Sequence, residues 1–296
     1  MTKKGLFTAL CLLLLTTKSL AAETYKIGVL AKDGPVKATK MWKATADYLT
    51  TALPGKTFEL VPLAFDAVNP AIEKNEVQFF LVNSSMFITT KVKYGATAVA
   101  TMLNERQGKS LPSFGGVIFV PAASPANSLA DLKGKAFMAV EESSFGGWQM
   151  ALKELVDAGI DPKKDFTKLL FGGKHENVVL AVQNGSVDAG TVRTDTLERM
   201  QKDGAVDLTE FKIIGKKEHK DFPFVCSTPL YPEWPMAKTK ATPDALAKEV
   251  ADALKKMKAD LPAAKDAQVT GWTDPQDYGT VEALQKTLKI EAYAPK

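Results

Sequence analysis

The sequence predicts an α/β protein with two lobes and a ligand cleft between them. Short apolar runs alternate with amphipathic stretches along most of the chain, which is typical of strands and helices in βαβ units. The apolar run 77–82 has no polar face, and a strand buried on both faces belongs in a parallel sheet that helices cover. A polar, loop-like stretch at 105–112 interrupts the alternation, so the elements fall into two blocks, roughly 24–110 and 115–215.

The individual elements follow from local patterns. Apolar residues between Met41 and Leu53 recur at helical spacing, and Pro54-Gly55 ends that helix. The first block contains strand 25–30, helix 41–53, strand 58–63, helix 69–75 and strand 77–82. The second contains strand 115–120, helix 128–135, strand 136–140, helix 143–159, strand 169–171, helix 177–184, strand 189–192, helix 194–202 and strand 213–214. An extended segment at 222–227 and helices at 243–261 and 280–288 follow.

The C-terminal part contains too few predicted strands to form a third α/β domain. We therefore expect it to pack on the first block, so that the chain crosses twice between the lobes. Lobe 1 would comprise residues 22–112 and 227–296, and lobe 2 residues 113–226. A cleft between two such lobes is a natural site for a small ligand.

The first 21 residues have the pattern of a cleavable signal peptide. Two lysines precede an apolar run at 6–15, and Ser19-Leu20-Ala21 places small residues where a signal peptidase reads them. We expect cleavage near Ala21 and export to the periplasm. The run is too short for a permanent membrane helix, and Cys11 within it follows a leucine rather than a small residue, which argues against lipid attachment.

The composition excludes several function classes. The formal net charge is +4, and three of the basic residues lie in the predicted signal peptide, so the mature chain has no single-sign field for nucleic acid or a membrane surface. One cysteine, Cys226, remains after cleavage, which rules out an intramolecular disulfide. We expect a soluble monomer held together by its apolar core.

Three predicted strand-to-helix junctions carry small polar residues. In open α/β sheets, ligands collect outside the carboxyl ends of strands, and helix N-termini there suit anions. Each junction on its own is more typical of an ordinary N-cap, whereas three such junctions in two lobes favour a binding site. The junctions read Asn83-Ser84-Ser85, Ser143-Ser144-Phe145-Gly146-Gly147 and Lys174-His175-Glu176-Asn177.

Three stretches resemble a known family. These are SLADLKGK at 128–135, SSFGG at 143–147 and HENVVLAVQNGSVDAG at 175–190. They resemble the PhnD-type phosphate and phosphonate branch of periplasmic solute-binding proteins. The resemblance implies a two-lobed, type II periplasmic-binding-protein fold, in which each lobe is a mostly parallel sheet flanked by helices. It also implies ligand donors at Ser84, Ser85, Ser143, Ser144 and His175, and no cofactor, metal or catalytic residue.

Two further stretches resemble the periplasmic sensor domains of tetrathionate-type histidine kinases. They lie at 191–198 and 226–234, and they favour an unspecified oxyanion over phosphonate itself. Arg193 in the first could clamp an oxyanion or pair with a nearby carboxylate. Tyr231 could line the cleft or belong to the core, and Cys226 could contact a sulfur or arsenic oxyanion or be a small hydrophobe.

These observations lead to three functional hypotheses. The first is a periplasmic solute-binding protein that captures a small oxyanion, of the phosphate or phosphonate type, for the membrane permease of an ABC transporter. The second is a sensory protein that presents a sulfur or arsenic oxyanion to a membrane histidine kinase. The third and weakest is an extracytoplasmic enzyme, which the absence of G-x-S-x-G, P-loop, H-E-x-x-H and metal-spaced Cys/His motifs disfavours.

Overall fold

The computed structural model describes residues 22–295, so the predicted signal peptide lies outside the described residues. The strands are β1 Glu23–Leu30, β2 Lys56–Leu63, β3 Phe79–Leu81, β4 Thr97–Arg106, β5 Lys109–Leu111, β6 Ser113–Phe114, β7 Gly116–Pro121, β8 Ala136–Ala139, β9 Lys168–Phe171, β10 Ala189–Arg193, β11 Phe211–Ile214, β12 Tyr231–Pro232, β13 Pro235–Lys238 and β14 Val269–Thr273. The α-helices are α1 Pro35–Ala52, α2 Val68–Glu73, α3 Ser84–Tyr94, α4 Met150–Asp157, α5 Pro162–Asp165, α6 His175–Gln183, α7 Thr196–Lys202, α8 Asp244–Lys255, α9 Pro262–Ala267 and α10 Gly279–Leu288. None of the described helices has the length and apolar character needed to cross a membrane.

The first sheet has the strand order β14-β4-β13-β3-β1-β2, and β5 pairs with β4 at its side. β1 runs parallel to β2 and β3, whereas β13 is antiparallel to both β3 and β4. Its main core includes Leu49 of α1, Phe79 of β3 and Val250 of α8, all fully or almost fully buried. The N-terminal segment and the C-terminal helices therefore share one core.

The second sheet has the order β11-β7-β10-β8-β9. β8 is parallel to β9 and β10, while β7 is antiparallel to β10 and β11. Successive residues of β7 face opposite sides of the sheet: Ile118 packs into one apolar cluster and Phe119 into another. Helices therefore cover this sheet on both faces, as the apolar strands lead one to expect.

Both sheets are mixed, which corrects the expectation of mostly parallel sheets. Burial on both faces makes a strand apolar whether its neighbours run parallel or antiparallel, so the pattern does not distinguish the two. The predicted loop at 105–112 is also wrong, since the chain there forms the end of β4 and the β5 strand. β14 likewise lies within a tail that was expected to be helical.

The chain passes between the sheets twice. It leaves the first sheet after β5 and returns to it at β13, and at the crossing β6 pairs antiparallel with β12, with Phe114 opposite Tyr231. The strands of the first sheet come from 23–111 and 235–273, and those of the second from 116–214. The lobe boundaries near residues 112 and 226 stay predictions. We use lobe 1 and lobe 2 for the parts built on the first and second sheets.

Candidate functional site

Two adjoining cavities lie in the cleft between the lobes. The larger has a volume of about 90 Å³ and the smaller about 10 Å³. Leu30, Lys32, Arg193 and Trp234 line both cavities. The smaller volume is close to that of a single water site, whereas the larger can hold several non-hydrogen atoms. Because the two cavities share these four lining residues, we describe them together as the cleft site.

The carboxyl ends of several strands converge on the cleft site. β1 ends at Leu30 and is followed by Lys32, while β10 ends at Arg193. Asn83 follows β3 as the N-cap of α3, and His175 is the first residue of α6 after β9. Strand ends from both lobes thus place their polar residues together, as expected for an α/β sheet.

Asn83 connects the two lobes directly. Its Oδ1 accepts a hydrogen bond from Met86 N–H at 2.9 Å, which caps α3, and its Nδ2 donates to the carbonyl of Ser143 in lobe 2 at 3.1 Å. Asn83 also lines the smaller cavity. One side chain therefore serves as the helix cap and as an interlobe contact.

Ser84 and Ser85 lie close by in sequence but face the interior of lobe 1. The Ser84 hydroxyl donates to the carbonyl of Pro232 at 2.6 Å, and the Ser85 hydroxyl accepts from Gln285 Nε2 at 2.7 Å. Both serines are fully buried, and neither lines a cavity of the cleft. The structure does not bring their hydroxyls to the site.

The second predicted loop contributes Ser144, Phe145 and Gly146 to the smaller cavity. A π-helix begins at Phe145, and the Ser144 side chain makes no capping hydrogen bond to it. A Cβ on Gly146 would lie 2.8 Å from Arg193 Cβ, so glycine permits the close approach of this loop to β10. Ser143 takes part through its carbonyl, which accepts from Asn83, and its side chain does not line the cavity.

His175 is buried and lines the smaller cavity. Its Nδ1 accepts a hydrogen bond from the backbone N–H of Arg193 at 3.4 Å. Burial and the nearby Lys32 cation lower the pKa of His175 well below its usual value of 6.5. The imidazole is therefore neutral at pH 7, and because Nδ1 accepts, Nε2 carries the proton and is a donor for a ligand.

Arg193 is the central cation of the cleft site. Its Nη2 donates to Glu233 Oε1 at 2.8 Å, its Nε donates to the carbonyl of Thr194 at 3.4 Å, and its guanidinium lies 4.4 Å from the ring centroid of Phe114. Burial alone would lower the pKa of Arg193, but Glu233 and Asp195 raise it. The side chain has five N–H donors, more than these two contacts use, so it can also bind a ligand anion.

Lys32 and Lys37 add positive charge on the lobe 1 side. Lys32 contacts Asp33, and burial lowers the pKa of its ammonium. Burial would raise the pKa of Asp33, but Lys32 lowers it, so Asp33 stays ionised. Lys37 pairs across the cleft with Glu176 at 3.2 Å. The cations of the larger cavity are therefore already partnered by carboxylates of the protein.

Tyr231 and Cys226 lie outside both cavities. Tyr231 packs edge-on against Phe145 at a centroid distance of 5.0 Å, behind the cavity wall. Cys226 is fully buried, and its Sγ lies 3.7 Å from the carbonyl oxygen of Phe224. Burial and the nearby Glu198 carboxylate raise the pKa of the thiol to about 12. Of the two roles considered for Cys226, the structure favours that of a small hydrophobe.

Sequence reasoning missed several residues that line the larger cavity. A sequence signal existed for Lys32 and Asp33, because they follow the first strand and precede a helix, as at the other junctions. No comparable signal pointed to the remaining residues, which come from the middle of a helix, from an unpredicted strand or from the other lobe. Among them are Trp42, Met102, Asn104, Arg106 and Arg199. Asp195 and Trp234, which also line this cavity, lie in the stretches 191–198 and 226–234 that the sequence analysis singled out.

Residues 27–278 match the family described as "ABC transporter, phosphonate, periplasmic substrate-binding protein". The chain therefore belongs to this family of periplasmic substrate-binding proteins, as the three stretches named above indicated. The tetrathionate sensor histidine kinase TtrS of Salmonella typhimurium is 31% identical over 269 residues, which is 90% of this chain and 44% of the relative. The chain thus spans less than half the length of that relative.

Solved structures of similar proteins share the fold. PhnD1 from Prochlorococcus marinus, in complex with methylphosphonate, has a TM-score of 0.73 and 16% identity, over 90% of this chain and 99% of that one. A binding-protein component of an ABC phosphonate transporter from Pseudomonas aeruginosa has a TM-score of 0.73 and 17% identity, over 90% of this chain and 86% of that one. These similarities confirm the two-lobed periplasmic-binding-protein fold. The family and these neighbours are binding proteins rather than enzymes.

Proposed function

We propose that this protein captures a small oxyanion in the cleft site, without a catalytic step, and delivers it in the periplasm to the permease of an ABC transporter. The observation that carries the proposal is the lining of the smaller cavity. It contains the cations Lys32 and Arg193, the donor His175 and the hydroxyl of Ser144, and its lining includes no carboxylate. An anionic oxygen there would meet donors from both lobes.

The anion would be bound mainly by directed donors. His175 offers Nε2–H, Arg193 offers the N–H groups left by Glu233 and Thr194, and Lys32 offers its ammonium. In this largely buried setting, each such hydrogen bond is stronger than in water. Because donors come from both lobes, the ligand would stabilise the state in which the lobes contact each other, and a partner could recognise that state.

The larger cavity would hold the rest of the ligand. Trp42, Met102 and Trp234 line it together with the charged residues, and these large, polarisable side chains suit an organic substituent or a sulfur atom. Phosphonates and sulfonates combine an anionic head with such a substituent. Their shape therefore fits the division of the cleft site into two cavities.

A thermal-shift screen of residues 22–296 tests this proposal, with titration calorimetry on any compound that responds. The panel contains phosphate, methylphosphonate, propane-1-sulfonate, thiosulfate, tetrathionate, arsenate, an amino acid and a sugar. A ligand at a thousandfold excess over its Kd should stabilise the protein by about 4 kcal/mol. Arg193→Gln should abolish the shift, whereas Lys43→Gln, on the exposed side of α1, should not. A response to the amino acid or sugar with none to any oxyanion would overturn the proposal.

A sensory function is the second candidate, and the 31% identity to a tetrathionate sensor kinase favours it. In this case the state with bound ligand would be read by a membrane histidine kinase instead of a permease. A deletion strain separates the two functions. Loss of growth on the bound compound as nutrient supports delivery to a permease. Normal growth combined with loss of compound-induced transcription supports sensing.

A further inference from the structure

The C-terminal segment, residues 289–295, joins lobe 1 to lobe 2. It follows α10, which packs on α3 of lobe 1 and also contacts α4 of lobe 2. Glu291 Oε1 accepts a hydrogen bond from Gln149 Nε2 of lobe 2 at 2.8 Å. Its Oε2 accepts at 3.4 Å from the Thr89 hydroxyl of α3, which is shared with the carbonyl of Ser85. One carboxylate therefore contacts both lobes.

Gln149 leads from this carboxylate to the wall of the smaller cavity. It is the last residue of the π-helix Phe145–Gln149 and is buried. Its Nε2 also donates to the carbonyl of Glu142 at 3.0 Å, so both N–H groups have a partner. Because both partners are acceptors, the amide nitrogen and not the amide oxygen faces them. The residues between positions 142 and 149 include Ser144 and Gly146, which line the smaller cavity.

The lobe 1 end of the link also leads to the cleft site. Thr89 lies in α3, and the N-cap of this helix, Asn83, lines the smaller cavity and donates to the carbonyl of Ser143. Asn83 and Glu291 thus connect α3 to the same lobe 2 segment, 143–149, at two separate points. Supporting contacts of this kind fix the geometry of residues that meet a ligand.

The C-terminal segment has its own anchors on α10. The Tyr293 hydroxyl donates to Glu282 Oε1 at 2.6 Å, and Lys286 Nζ lies 5.1 Å from the Tyr293 ring centroid. Glu291 has a φ of 55°, a left-handed conformation that is uncommon for residues other than glycine. Such a conformation persists where the surrounding contacts fix it, and it often occurs at functional positions. Here it occurs at the residue whose carboxylate bridges the lobes.

We propose that Glu291 is a positioning residue for ligand binding: through Gln149 it holds the Ser144–Gly146 wall of the smaller cavity against lobe 1. The inference rests on the proposed binding of an oxyanion in the cleft site. Glu291 and Gln149 lie outside both cavities, so Glu291 acts through Gln149 and does not touch the oxyanion. Without this link the wall separates more readily from lobe 1, and the bound anion leaves sooner. The effect falls mainly on the release rate.

Titration calorimetry and stopped-flow fluorescence test the inference. The probes are phosphate, methylphosphonate, propane-1-sulfonate, thiosulfate, tetrathionate and arsenate. For each probe that the unmodified protein binds, Glu291→Ala should weaken binding by about tenfold. Glu291→Gln keeps an oxygen that can accept from Gln149 and should weaken binding by less than about threefold. With Trp42 and Trp234 of the cleft site as reporters, stopped-flow traces should show faster release and a nearly unchanged association rate.

Two controls separate this role from general effects on charge and folding. Glu249→Ala removes a pair with Lys56 inside lobe 1 and should leave binding unchanged. Gln149→Ala and the double variant with Glu291→Ala complete a thermodynamic cycle. If Glu291 acts through Gln149, the double variant should bind no more weakly than the weaker single variant.

Three results would overturn the inference. They are unchanged binding by Glu291→Ala, a loss that Glu291→Gln shares in full, and losses that add in the double variant. In each case, binding of an oxyanion by the unmodified protein still supports the proposed function. If the unmodified protein binds none of the six probes, both the inference and the proposed function are wrong.

Discussion

The backbone N–H of Arg193 donates a hydrogen bond to Nδ1 of His175 at 3.4 Å, and this contact determines which imidazole nitrogen is available to a ligand. It joins the end of β10 to the start of α6. Because the pKa of His175 is well below 6.5, Nδ1 accepts at neutral pH and Nε2 donates. A main-chain group of one binding residue therefore sets the tautomer of another.

Two substitutions separate the roles of the imidazole nitrogens. His175→Asn can keep an acceptor near the position of Nδ1 but has no group at Nε2, whereas His175→Gln can place an amide donor near Nε2. If Nε2 donates to the oxyanion, His175→Asn should weaken binding by roughly 10- to 100-fold, which is the usual loss for a hydrogen bond to a charged group. His175→Gln should weaken binding by clearly less. Calorimetry with the best ligand of the panel measures both, and equal losses would contradict the assignment.

The free energy of unfolding should fall as the pH is lowered from 7.5 to 5. The folded state keeps His175 neutral, because burial and Lys32 depress its pKa, while the unfolded chain takes up a proton near pH 6.5. The unfolded state then binds more protons than the folded state. This residue therefore lowers the free energy of unfolding by up to about 1.4 kcal/mol for each pH unit below 6.5. Urea unfolding at several pH values measures the slope. His175→Asn should show a smaller decrease, and identical slopes in both proteins would contradict the buried neutral imidazole.

Removing the Glu233 carboxylate should destabilise the protein strongly. Glu233 is almost fully buried and accepts from Arg193 Nη2 at 2.8 Å and from Asn104 Nδ2 at 2.5 Å, which links the two lobes. Glu233→Gln leaves the buried guanidinium without its main counter-charge, so we expect a loss of about 3–5 kcal/mol in urea unfolding. Asp47→Asn, which removes an exposed pair with Lys43, should change stability little. If Glu233→Gln lost no more stability than Asp47→Asn, Asp195 alone would be sufficient to compensate the charge of Arg193.

Much of the fold could be predicted from the sequence because apolar periodicity marks strands and helices. β1, β2 and β7 lie close to their predicted positions, at 25–30, 58–63 and 115–120. β4 and β14 were missed because they mix polar and apolar residues without regular alternation, although Gly95 precedes β4 and Asp274-Pro275 follows β14. The direction of neighbouring strands also leaves little trace in a chain whose sheets are covered on both faces.

The candidate site was predictable where it depends on strand ends. Asn83, Ser144 and His175 line the smaller cavity because residues after buried strands collect at one edge of a sheet. Ser84 and Ser85 follow the same rule, but Pro232 and Gln285 engage their hydroxyls from more than a hundred residues away along the chain. No local pattern reveals such partners.

Cys226 should be unreactive in the folded protein and dispensable for ligand binding. Its side chain is fully buried outside the cleft site, and its pKa of about 12 leaves almost no thiolate at pH 7 to 8. Since the thiolate is the reactive form, labelling with a disulfide reagent should be roughly a thousandfold slower than in the urea-unfolded chain. For each oxyanion of the panel, arsenate and tetrathionate included, Cys226→Ala should give the same Kd, or the same lack of binding, as the unmodified protein. Two results together would instead place the thiol at the ligand. Labelling would be fast and would be suppressed by bound ligand, and Cys226→Ala would bind the ligand more weakly than the unmodified protein.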